Sequence, residues 1–257
     1  MADGVSPADL KAASALAAGA RKILVFTGAG LSTNSGIPDF RGPDGVWTKR
    51  EPVLYQDFIN STKAKVEYWR YKAETFAAFL TAAPNAAHKA VVSLERSGRL
   101  LTVVTQNIDN LHRAAGTGPD KLVELHGSGL YAECLDSHAW VSMAEALEKF
   151  KARGAPPECE CGGWLKPAVV MFGESLDGSN LLKAFAAARD CDLAISVGST
   201  LSVEPAASVP LAAKAAGKPY IIVNMGPTAQ DGAADIRLEG DACELLPAIL
   251  VTSDTRP

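Results

Sequence analysis

A glycine-rich turn follows the apolar run 23–27 and contains the first residues able to do chemistry. Gly28 and Gly30 are separated by one residue. Such a turn at the carboxyl end of a buried parallel strand lets the backbone approach a pyrophosphate, and a helix N-terminus that follows it favours anions. An acid, an aromatic and a cation then come in succession, as Asp39, Phe40 and Arg41. The segment therefore predicts a dinucleotide site with charged and aromatic groups on the loop that leaves it.

The loop does not fit the fingerprint of nicotinamide-dependent dehydrogenases. That fingerprint needs Gly or Ala three residues after the second glycine. This chain has Thr33 there, and its next glycine is Gly36. Neither a dehydrogenase site nor a plain strand-to-helix turn explains the acid, the aromatic and the cation at residues 39–41. Hydride transfer is therefore disfavoured.

Polar side chains also follow the apolar run 100–104. Gln106, Asn107 and Asp109 lie at the carboxyl end of that run, where the side chains of a doubly wound sheet point into the ligand crevice. A helix cap explains Asn107 or Asp109 alone, but not the three residues together. His126 ends the next apolar run, and imidazole is the side chain best suited to move protons near neutral pH. These residues are candidates for chemistry in one crevice.

The elements that must position these groups alternate between apolar runs and helical patterns. This alternation is typical of a parallel sheet with helices on both faces. The predicted strands are 23–27, 100–105, 122–125, 168–171, 193–197, 220–223 and 236–238. The predicted helices include 84–97, 180–189, 205–216 and 243–250, together with an N-terminal helix that begins at Ser6 and Pro7.

Two segments interrupt the alternation. The segment 47–81 is rich in aromatic residues, and 131–164 contains three of the five cysteines. We expect both to belong to a small lobe that faces the sheet across a cleft, a common place for a substrate. The large lobe is expected to comprise 1–46, 82–130 and 165–257, and the whole chain to form one catalytic unit.

The composition narrows the class of protein. The 257 residues are 47% hydrophobic with a net charge of −4, which suits one α/β domain with an insert. No basic stripe is present, so direct binding of nucleic acid is not expected. No apolar run has the length of a membrane span, and the alanine-rich stretch 12–20 is interpreted as helix rather than signal peptide. A cytoplasmic protein is therefore expected, and its odd number of cysteines does not indicate a disulfide scaffold.

The motifs together resemble those of the sirtuins, the NAD-dependent protein lysine deacylases. The resemblance lies in 28–47, 105–112 and His126-Gly127, and it extends in order over about 21–250. The first loop is similar to that of the nuclear-type sirtuins. The resemblance implies an α/β, Rossmann-like fold, in which a doubly wound parallel sheet has a smaller inserted lobe of helices and a zinc-knuckle-like segment.

The resemblance also implies that NAD is the co-substrate. Asn107 would contact the nicotinamide ribose, Asp109 would hold the carboxamide, and His126 would act as general base on the ribose hydroxyls. The residues expected to bind NAD are Gly28, Ala29, Gly30, Ser32, Asp39, Phe40, Arg41, Trp47, Gln106, Asn107, Ile108, Asp109, Gly198, Ser199, Thr200, Asn224, Ala242 and Cys243. The family usually has Gly-Thr-Ser at 198–200, and both orders supply a glycine and two hydroxyls. His88 and His112 are expected to be structural.

The segment 166–174 resembles the sirtuin strand that pairs with an extended substrate. The residues expected to bind the acyl-lysine protein or peptide are Val169, Val170, Phe172, Gly173 and Glu174. The implied products are free lysine, nicotinamide and O-acyl-ADP-ribose. Sirtuins that favour acidic acyl groups have a Tyr-x-x-Arg pair, whereas Tyr71 comes three residues after Tyr68 here. We therefore expect removal of acetyl or other neutral acyl groups, not desuccinylation.

The cysteines depart from the family pattern of two Cys-x-x-Cys pairs that bind zinc. Ser137 stands where the second ligand of the first pair is expected, and one residue instead of two separates the second pair. A zinc site and a knuckle without metal both remain open. The candidate ligands are Cys134, Cys159, Cys161 and His138, with Asp136 as a less favoured fourth ligand.

Two other function classes remain open. A mono-ADP-ribosyltransferase or NAD hydrolase would use the same cleavage of NAD with a different nucleophile, although the presence of His126 disfavours it. A non-catalytic NAD-sensing scaffold is suggested by the altered cysteine pattern.

Overall fold

The computed structural model describes residues 5–39, 45 and 51–250. The strands in these ranges are β1 (Ile23–Thr27), β2 (Leu100–Thr105), β3 (Leu122–Glu124), β4 (Gly127–Cys134), β5 (Trp140–Ser142), β6 (Leu165–Val169), β7 (Leu193–Val197), β8 (Tyr220–Asn224) and β9 (Ile236–Glu239). The helices are α1 (Pro7–Gly19), α2 (Tyr55–Asn60), α3 (Thr62–Thr81), α4 (Ala86–Arg96), α5 (Leu111–Ala115), α6 (Met143–Arg153), α7 (Gly178–Asp190), α8 (Ser208–Ala215) and α9 (Ala242–Leu250).

A parallel sheet holds the strands of the dinucleotide-type fold. In the described ranges its order is β3-β2-β1-β7-β8-β9, and every neighbouring pair is parallel. The order reverses between β1 and β7. In a doubly wound sheet, this reversal opens a ligand crevice beyond the carboxyl ends of the strands. The expected α/β fold is confirmed.

Helices cover both faces of this sheet because the strands are apolar on both. Ile23 and Val25 pack with residues of α1, α4 and α9, whereas Leu24 and Phe26 pack with residues of α7 and α8. The split follows the two-residue period of a strand, which turns successive side chains to opposite faces. All five residues of β1 are buried, as is typical of a parallel strand between two helix layers.

A second, antiparallel sheet has the order β5-β4-β6 in the described part of the chain. It packs with α2, α3 and α6 around a separate core that includes Phe58, Trp69, Met143 and Leu165. The indole Nε1 of Trp69 donates to the carbonyl oxygen of Leu165 at 3.3 Å, so the largest side chain of this core has its polar atom satisfied. The boundaries expected between two lobes stay a prediction.

The predicted strand 168–171 is wrong in both position and sheet. The strand is Leu165–Val169, and it pairs antiparallel with β4, where Leu165 lies opposite Cys134. An apolar run of this length fits a strand of either sheet, and only the pairing with β4 decides between them. The other six predicted strands and the four predicted helices between them are confirmed, with ends that differ by at most three residues.

A helix was also expected directly after the glycine turn. The chain instead makes two short 3-10 turns, Ala29–Leu31 and Thr33–Ser35. Gly28 therefore does not lead into the anion-binding N-terminus of an α-helix. Within the described ranges, no helix combines the length and apolar character needed to cross a bilayer.

Candidate active site

The loops that follow β1 and β7 lie against each other at the reversal point of the sheet. The amide of Gly28 donates to the carbonyl oxygen of Val197 at 3.0 Å, and the amide of Gly30 donates to that of Gly198 at 2.8 Å. A Cβ on Gly28 would lie 2.7 Å from the Gly198 carbonyl oxygen. Gly198 has a φ of +63°, and a Cβ there would clash with the backbone of Leu31. These glycines are therefore required for packing one loop on the other, a reason the sequence pattern does not reveal.

A buried polar cluster joins the loops that follow β1 and β2. Ser32 donates through Oγ to Oδ2 of Asp109 at 2.6 Å. Asn107 donates through Nδ2 to the Gly28 carbonyl oxygen at 3.0 Å and to Ser32 Oγ at 3.2 Å. The cluster holds the two predicted ribose and carboxamide residues, Asn107 and Asp109, beside the glycine turn.

Asp109 is almost fully buried, and this burial raises the pKa of its carboxyl group. Hydrogen bonds from Ser32 Oγ and from the amide of Leu111 act in the opposite direction. The Leu111 amide donates to Oδ1 at 2.8 Å, so each carboxylate oxygen has a donor. This arrangement fixes the orientation of Asp109 before any ligand binds.

Asn107 keeps one polar atom available. Its backbone amide donates to Thr105 Oγ1 at 3.0 Å, and its two side-chain hydrogen bonds both use Nδ2 as donor. Among the described residues, no group donates to Oδ1 of Asn107. This oxygen can accept a hydrogen bond from a sugar hydroxyl in the crevice.

His126 lies in the short link between β3 and β4, where the two sheets meet. Its Nδ1 is 2.9 Å from the carbonyl oxygen of Gln106. Because a carbonyl oxygen only accepts, Nδ1 carries a hydrogen, and in the neutral ring Nε2 is the basic nitrogen. The carbonyl oxygen of His126 accepts from the amide of Val170 at 2.9 Å. His126 therefore contacts the loop after β2 through its ring and the predicted substrate segment through its backbone.

Two further histidines lie behind the cluster. His112 Nε2 is 3.0 Å from Thr27 Oγ1, which donates to Thr105 Oγ1 at 2.8 Å. Since that hydroxyl hydrogen is used, His112 donates through Nε2. In the part of the chain that the structure describes, His112 Nδ1 and His88 Nε2 are buried without a hydrogen-bond partner. Burial lowers the pKa of His112 to about 3, with a contribution from His88, and lowers the pKa of His88 to about 4.

The buried histidines therefore stay neutral and act through position. His112, Thr27 and Thr105 form a hydrogen-bonded chain that ends at the amide of Asn107. This chain holds the backbone of the predicted ribose-binding loop at the Asn107 amide. The sequence identified His112 only as the last residue of the motif 105–112, without its hydrogen-bond partners. The link through Thr27 could not be inferred from spacing, because Thr27 belongs to a different strand.

The far side of the crevice holds the predicted hydroxyl and amide residues. Gln106 donates through Nε2 to Ser199 Oγ at 2.8 Å, and the Leu201 amide donates to the same oxygen at 3.2 Å. Thr200 Oγ1 lies 3.0 Å from Ser202 Oγ. Asn224 ends β8 and donates to the carbonyl oxygen of Gly226 at 3.0 Å. Ile108 follows Gln106 in the loop after β2, whereas Ala29 begins the 3-10 turn after β1 and Ala242 is the first residue of α9.

Asp241 is a residue that the sequence analysis did not select. Its Oδ2 accepts from Asn34 Nδ2 at 2.7 Å, and its Oδ1 accepts from the Cys243 amide at 2.7 Å. It thereby joins the first loop to the start of α9. An aspartate directly before a helix is a capping signal, so the sequence could have predicted a capping role for Asp241. Its contact with Asn34 could not be predicted, because Asn34 is far away in the sequence.

The predicted substrate segment is divided between core and surface. Val169 is buried in β6, Val170 is partly buried, and Phe172 is exposed at 36%. Glu174 Oε2 accepts from the buried ammonium of Lys166 at 3.1 Å and from the Met171 amide at 2.9 Å. The carboxylate of Glu174 therefore stabilises this turn.

Gly173 offers the backbone groups that a peptide needs. It is exposed and has a φ of +85°. Among the described residues, its N–H and C=O have no hydrogen-bond partner. Of the first-loop residues expected to bind NAD, Asp39 is half-buried, whereas Phe40, Arg41 and Trp47 lie outside the described residues.

Three of the four candidate metal ligands come together. The Sγ atoms of Cys134, Cys159 and Cys161 lie within 4.8 Å of one another, and those of Cys134 and Cys161 are 3.5 Å apart. Four thiolates around zinc, at about 2.3 Å each, stand roughly 3.8 Å apart. The three sulphurs therefore fit a zinc ion, which would crosslink the loops that contain Cys134 and Cys159.

His138 does not join this group. Its Nδ1 lies 2.8 Å from Oε1 of Glu133, and its side chain is 76% exposed. Ser137 lies closer: its hydroxyl and its amide, as hydrogen-bond donors, lower the pKa of Cys134 to about 6. The structure thus assembles the cysteines and leaves the predicted histidine outside.

Comparisons with known proteins agree with this geometry. The model of the Sir2 family matches residues 28–205. The chain is 40% identical to NAD-dependent protein deacetylase 1 of Bradyrhizobium diazoefficiens, over 88% of this chain and 89% of that protein. It is 41% identical to NAD-dependent protein deacylase 2 of Archaeoglobus fulgidus, over 94% and 95%.

Solved structures give the same result. A Sir2 structure with a p53 peptide and NAD+ superimposes with a TM-score of 0.85 at 33% identity, covering 94% of this chain and 97% of that one. Another Sir2 enzyme has a TM-score of 0.84 at 41% identity, covering 95% and 97%. Fold, site and relatives agree, and the chain belongs to the Sir2 family, the sirtuins.

Proposed function

We propose that this protein removes acetyl and other neutral acyl groups from protein lysines, uses NAD as co-substrate, and releases nicotinamide and O-acyl-ADP-ribose. The observation that carries the proposal is the orientation of His126. Its Nδ1 is held by the Gln106 carbonyl oxygen, and its backbone is joined to Val170 in the predicted substrate segment. These contacts support the assignment of His126 as a base between the two expected binding regions.

The chain's own residues divide the work. NAD, when bound, supplies a ribosyl carbon with nicotinamide as leaving group. Asn107 Oδ1 accepts a hydrogen bond from a ribose hydroxyl, and Asp109, held by Ser32, faces the carboxamide. Nε2 of His126 takes a proton from a ribose hydroxyl, which makes that oxygen nucleophilic. Positioning of these groups by Ser32 and Thr105 lowers the reorganisation that the reaction requires.

The acyl-lysine substrate is proposed to lie along residues 169–173. The exposed backbone of Gly173 supports pairing with an extended peptide, and the partly buried Val170 supplies apolar surface for the lysine methylenes. Relatives described as deacetylases and deacylases, and a Sir2 structure with a bound acetylated peptide, support this substrate class. The proposal places the peptide between the large lobe and the small lobe predicted from the sequence.

The test offers acetyl-, myristoyl- and succinyl-lysine peptides of one sequence with NAD labelled in the ADP-ribose part. Deacylated peptide and labelled O-acyl-ADP-ribose, formed with the acetyl or myristoyl peptide, are the expected products. Preferential desuccinylation would contradict the proposed acyl class. Label on the protein or on free ADP-ribose without deacylation would instead show ADP-ribosyl transfer or NAD hydrolysis. Tight NAD binding without nicotinamide release would show a scaffold.

A further inference from the structure

Ser137 stands at the position of the missing cysteine of the first pair and contacts two of the three sulphurs of the cluster. Its Oγ lies 3.8 Å from Cys159 Sγ, and its amide donates to Cys134 Sγ at 3.4 Å. In a tetrahedral site with three thiolates and one oxygen, the oxygen stands about 3.6 Å from each sulphur. The hydroxyl is therefore at a ligand-like distance from one sulphur, while its backbone is bound to another.

The knuckle is built to keep this geometry. The amide of Cys159 donates to the Gly163 carbonyl oxygen at 2.8 Å, and the Gly162 amide donates back to the Cys159 carbonyl oxygen at 3.0 Å. A Cβ on Gly163 would lie 2.8 Å from Cys134 Sγ. The absence of a side chain at Gly163 allows the loop with Cys159 and Cys161 to pack against Cys134. The three sulphurs are therefore close together without any movement of the two loops.

Other side chains do not fill the fourth corner. Among the described residues, neither the ring nitrogens of His138 nor the carboxylate oxygens of Asp136 lie within 4.8 Å of all three sulphurs. His138 is held away by its bond to Glu133. Its backbone has a φ of +56°, and its side chain is 76% exposed.

We propose that this protein binds one zinc ion through the thiolates of Cys134, Cys159 and Cys161, with the hydroxyl of Ser137 as fourth ligand. Three thiolates and a neutral oxygen leave one unit less negative charge on the site than four thiolates. Oxygen is also the harder donor and binds zinc less tightly than sulphur. Because Ser137 is exposed, solvent and chelators reach this corner first. The zinc is therefore held but exchangeable, unlike the metal of a closed structural site.

The first experiment measures metal content and metal release. Protein purified without chelator is analysed by mass spectrometry for zinc, and release to a chromogenic chelator is followed over time. We expect one zinc per chain. Ser137→Cys should slow the release on the order of tenfold, the lower end of what changes around a metal do to affinity. His138→Ala is the matched control and should release zinc like the wild type.

The second experiment identifies the fourth donor by cobalt substitution. Ser137→Cys should raise the sulphur-to-cobalt charge-transfer absorption by about one third, because a fourth thiolate is added to three. Ser137→Ala should shift the ligand-field bands without changing the charge-transfer intensity. Circular dichroism confirms that each variant is folded.

Three outcomes would overturn the proposal. The wild type could remain free of zinc after incubation with an excess of the metal alone. Ser137→Cys could leave both the cobalt spectrum and the release rate unchanged. His138→Ala could change the spectrum, which would assign the fourth position to histidine. None of these outcomes depends on deacylase activity, so the inference stands or falls separately from the proposed function.

Discussion

Nδ1 of His126 lies 2.9 Å from the carbonyl oxygen of Gln106, a residue whose side chain also reaches Ser199 at 2.8 Å. One residue at the end of β2 thereby fixes the tautomer of the proposed base and connects it to the loop after β7. The basic Nε2 follows from this contact alone, since a carbonyl oxygen can only accept.

His126→Ala and His126→Gln should lower kcat for deacetylation by about 10²- to 10⁴-fold, the usual contribution of a general base. Binding of NAD should remain, because the cluster of Ser32, Asn107 and Asp109 does not include the imidazole. Mass spectrometry of the product peptide gives the rate, and calorimetry gives the dissociation constant for NAD. His138→Ala, a change at an exposed ring, is the control. Wild-type turnover in the alanine variant would exclude His126 as the base.

Ser32→Ala should raise KM for NAD roughly tenfold, because a hydrogen bond to a buried carboxylate is worth about 1.5–3 kcal/mol and 1.4 kcal/mol is tenfold in an equilibrium constant. The variant removes the donor of Asp109 and an acceptor of Asn107 at once. Steady-state kinetics with varied NAD measure the effect. Ser93→Ala, which removes an exposed hydroxyl bonded within α4, should leave KM unchanged. Equal KM values in both variants would show that the cluster does not position NAD-binding groups.

Gly198→Ala should be far more destabilising than Gly217→Ala, although both glycines have positive φ, at +63° and +75°. A Cβ on Gly217 meets nothing within 4 Å, whereas one on Gly198 meets the backbone of Gly30 and Leu31. The control should therefore lose only the cost of a Cβ in the left-handed region, about 1–2 kcal/mol. Gly198→Ala should lose about 1–3 kcal/mol more through strain. Urea unfolding of both variants gives the comparison, and similar midpoints would show that the loops move apart without cost.

The stability of the fold should decrease as the pH falls from 6.5. The pKa values of His88 and His112 are lowered in the folded state to about 4 and about 3, from an ordinary value of 6.5. Below pH 6.5 these two histidines bind protons in the unfolded chain but not in the folded chain. The stabilisation that is present above pH 6.5 is therefore lost progressively as the pH falls. Each histidine contributes a slope of up to about 1.4 kcal/mol per pH unit.

Urea unfolding at pH 7, 6 and 5 measures this slope. His112→Gln should flatten it by about half, because one of the two buried imidazoles no longer titrates. Ser93→Ala, which removes an exposed hydroxyl and no titratable group, should leave the slope unchanged. If the slope is the same in all three proteins, protonation of His88 and His112 does not cause the loss of stability at low pH.

Local pattern was enough to predict much of the large sheet. Runs such as 193–197 and 220–223 are almost wholly apolar, with Ser196 as the one hydroxyl residue of the first, and a strand buried on both faces needs such a composition wherever it lies. His126 was selected for a similar reason, because it directly follows such a run and carries a titratable ring. Residue composition within a short segment is local information, so it can be interpreted without knowledge of the tertiary contacts.

The predictions that were wrong concern residues whose position depends on tertiary contacts. Residues 168–171 have the composition of a parallel strand, yet the strand is Leu165–Val169, and its pairing with β4 places it in the second sheet. His138 was a reasonable zinc ligand by spacing, but its bond to Glu133 turns it away from the sulphurs. In each case, the deciding partner is a backbone or side chain whose position is set by the fold.

The sequence by itself determined which residues can do chemistry: the glycines and serine of the first loop, Asn107, Asp109 and His126. Residue type sets hydrogen-bonding and proton-transfer capacity, and that capacity is present before folding. The tertiary structure alone decided how they act together. It brought Gly198 against Gly30, joined Asp109 to Ser32, fixed the tautomer of His126 through Gln106, and put the Ser137 hydroxyl 3.8 Å from Cys159 Sγ. These relations join different strands and loops, and distances of a few ångströms between them exist only after the chain has packed.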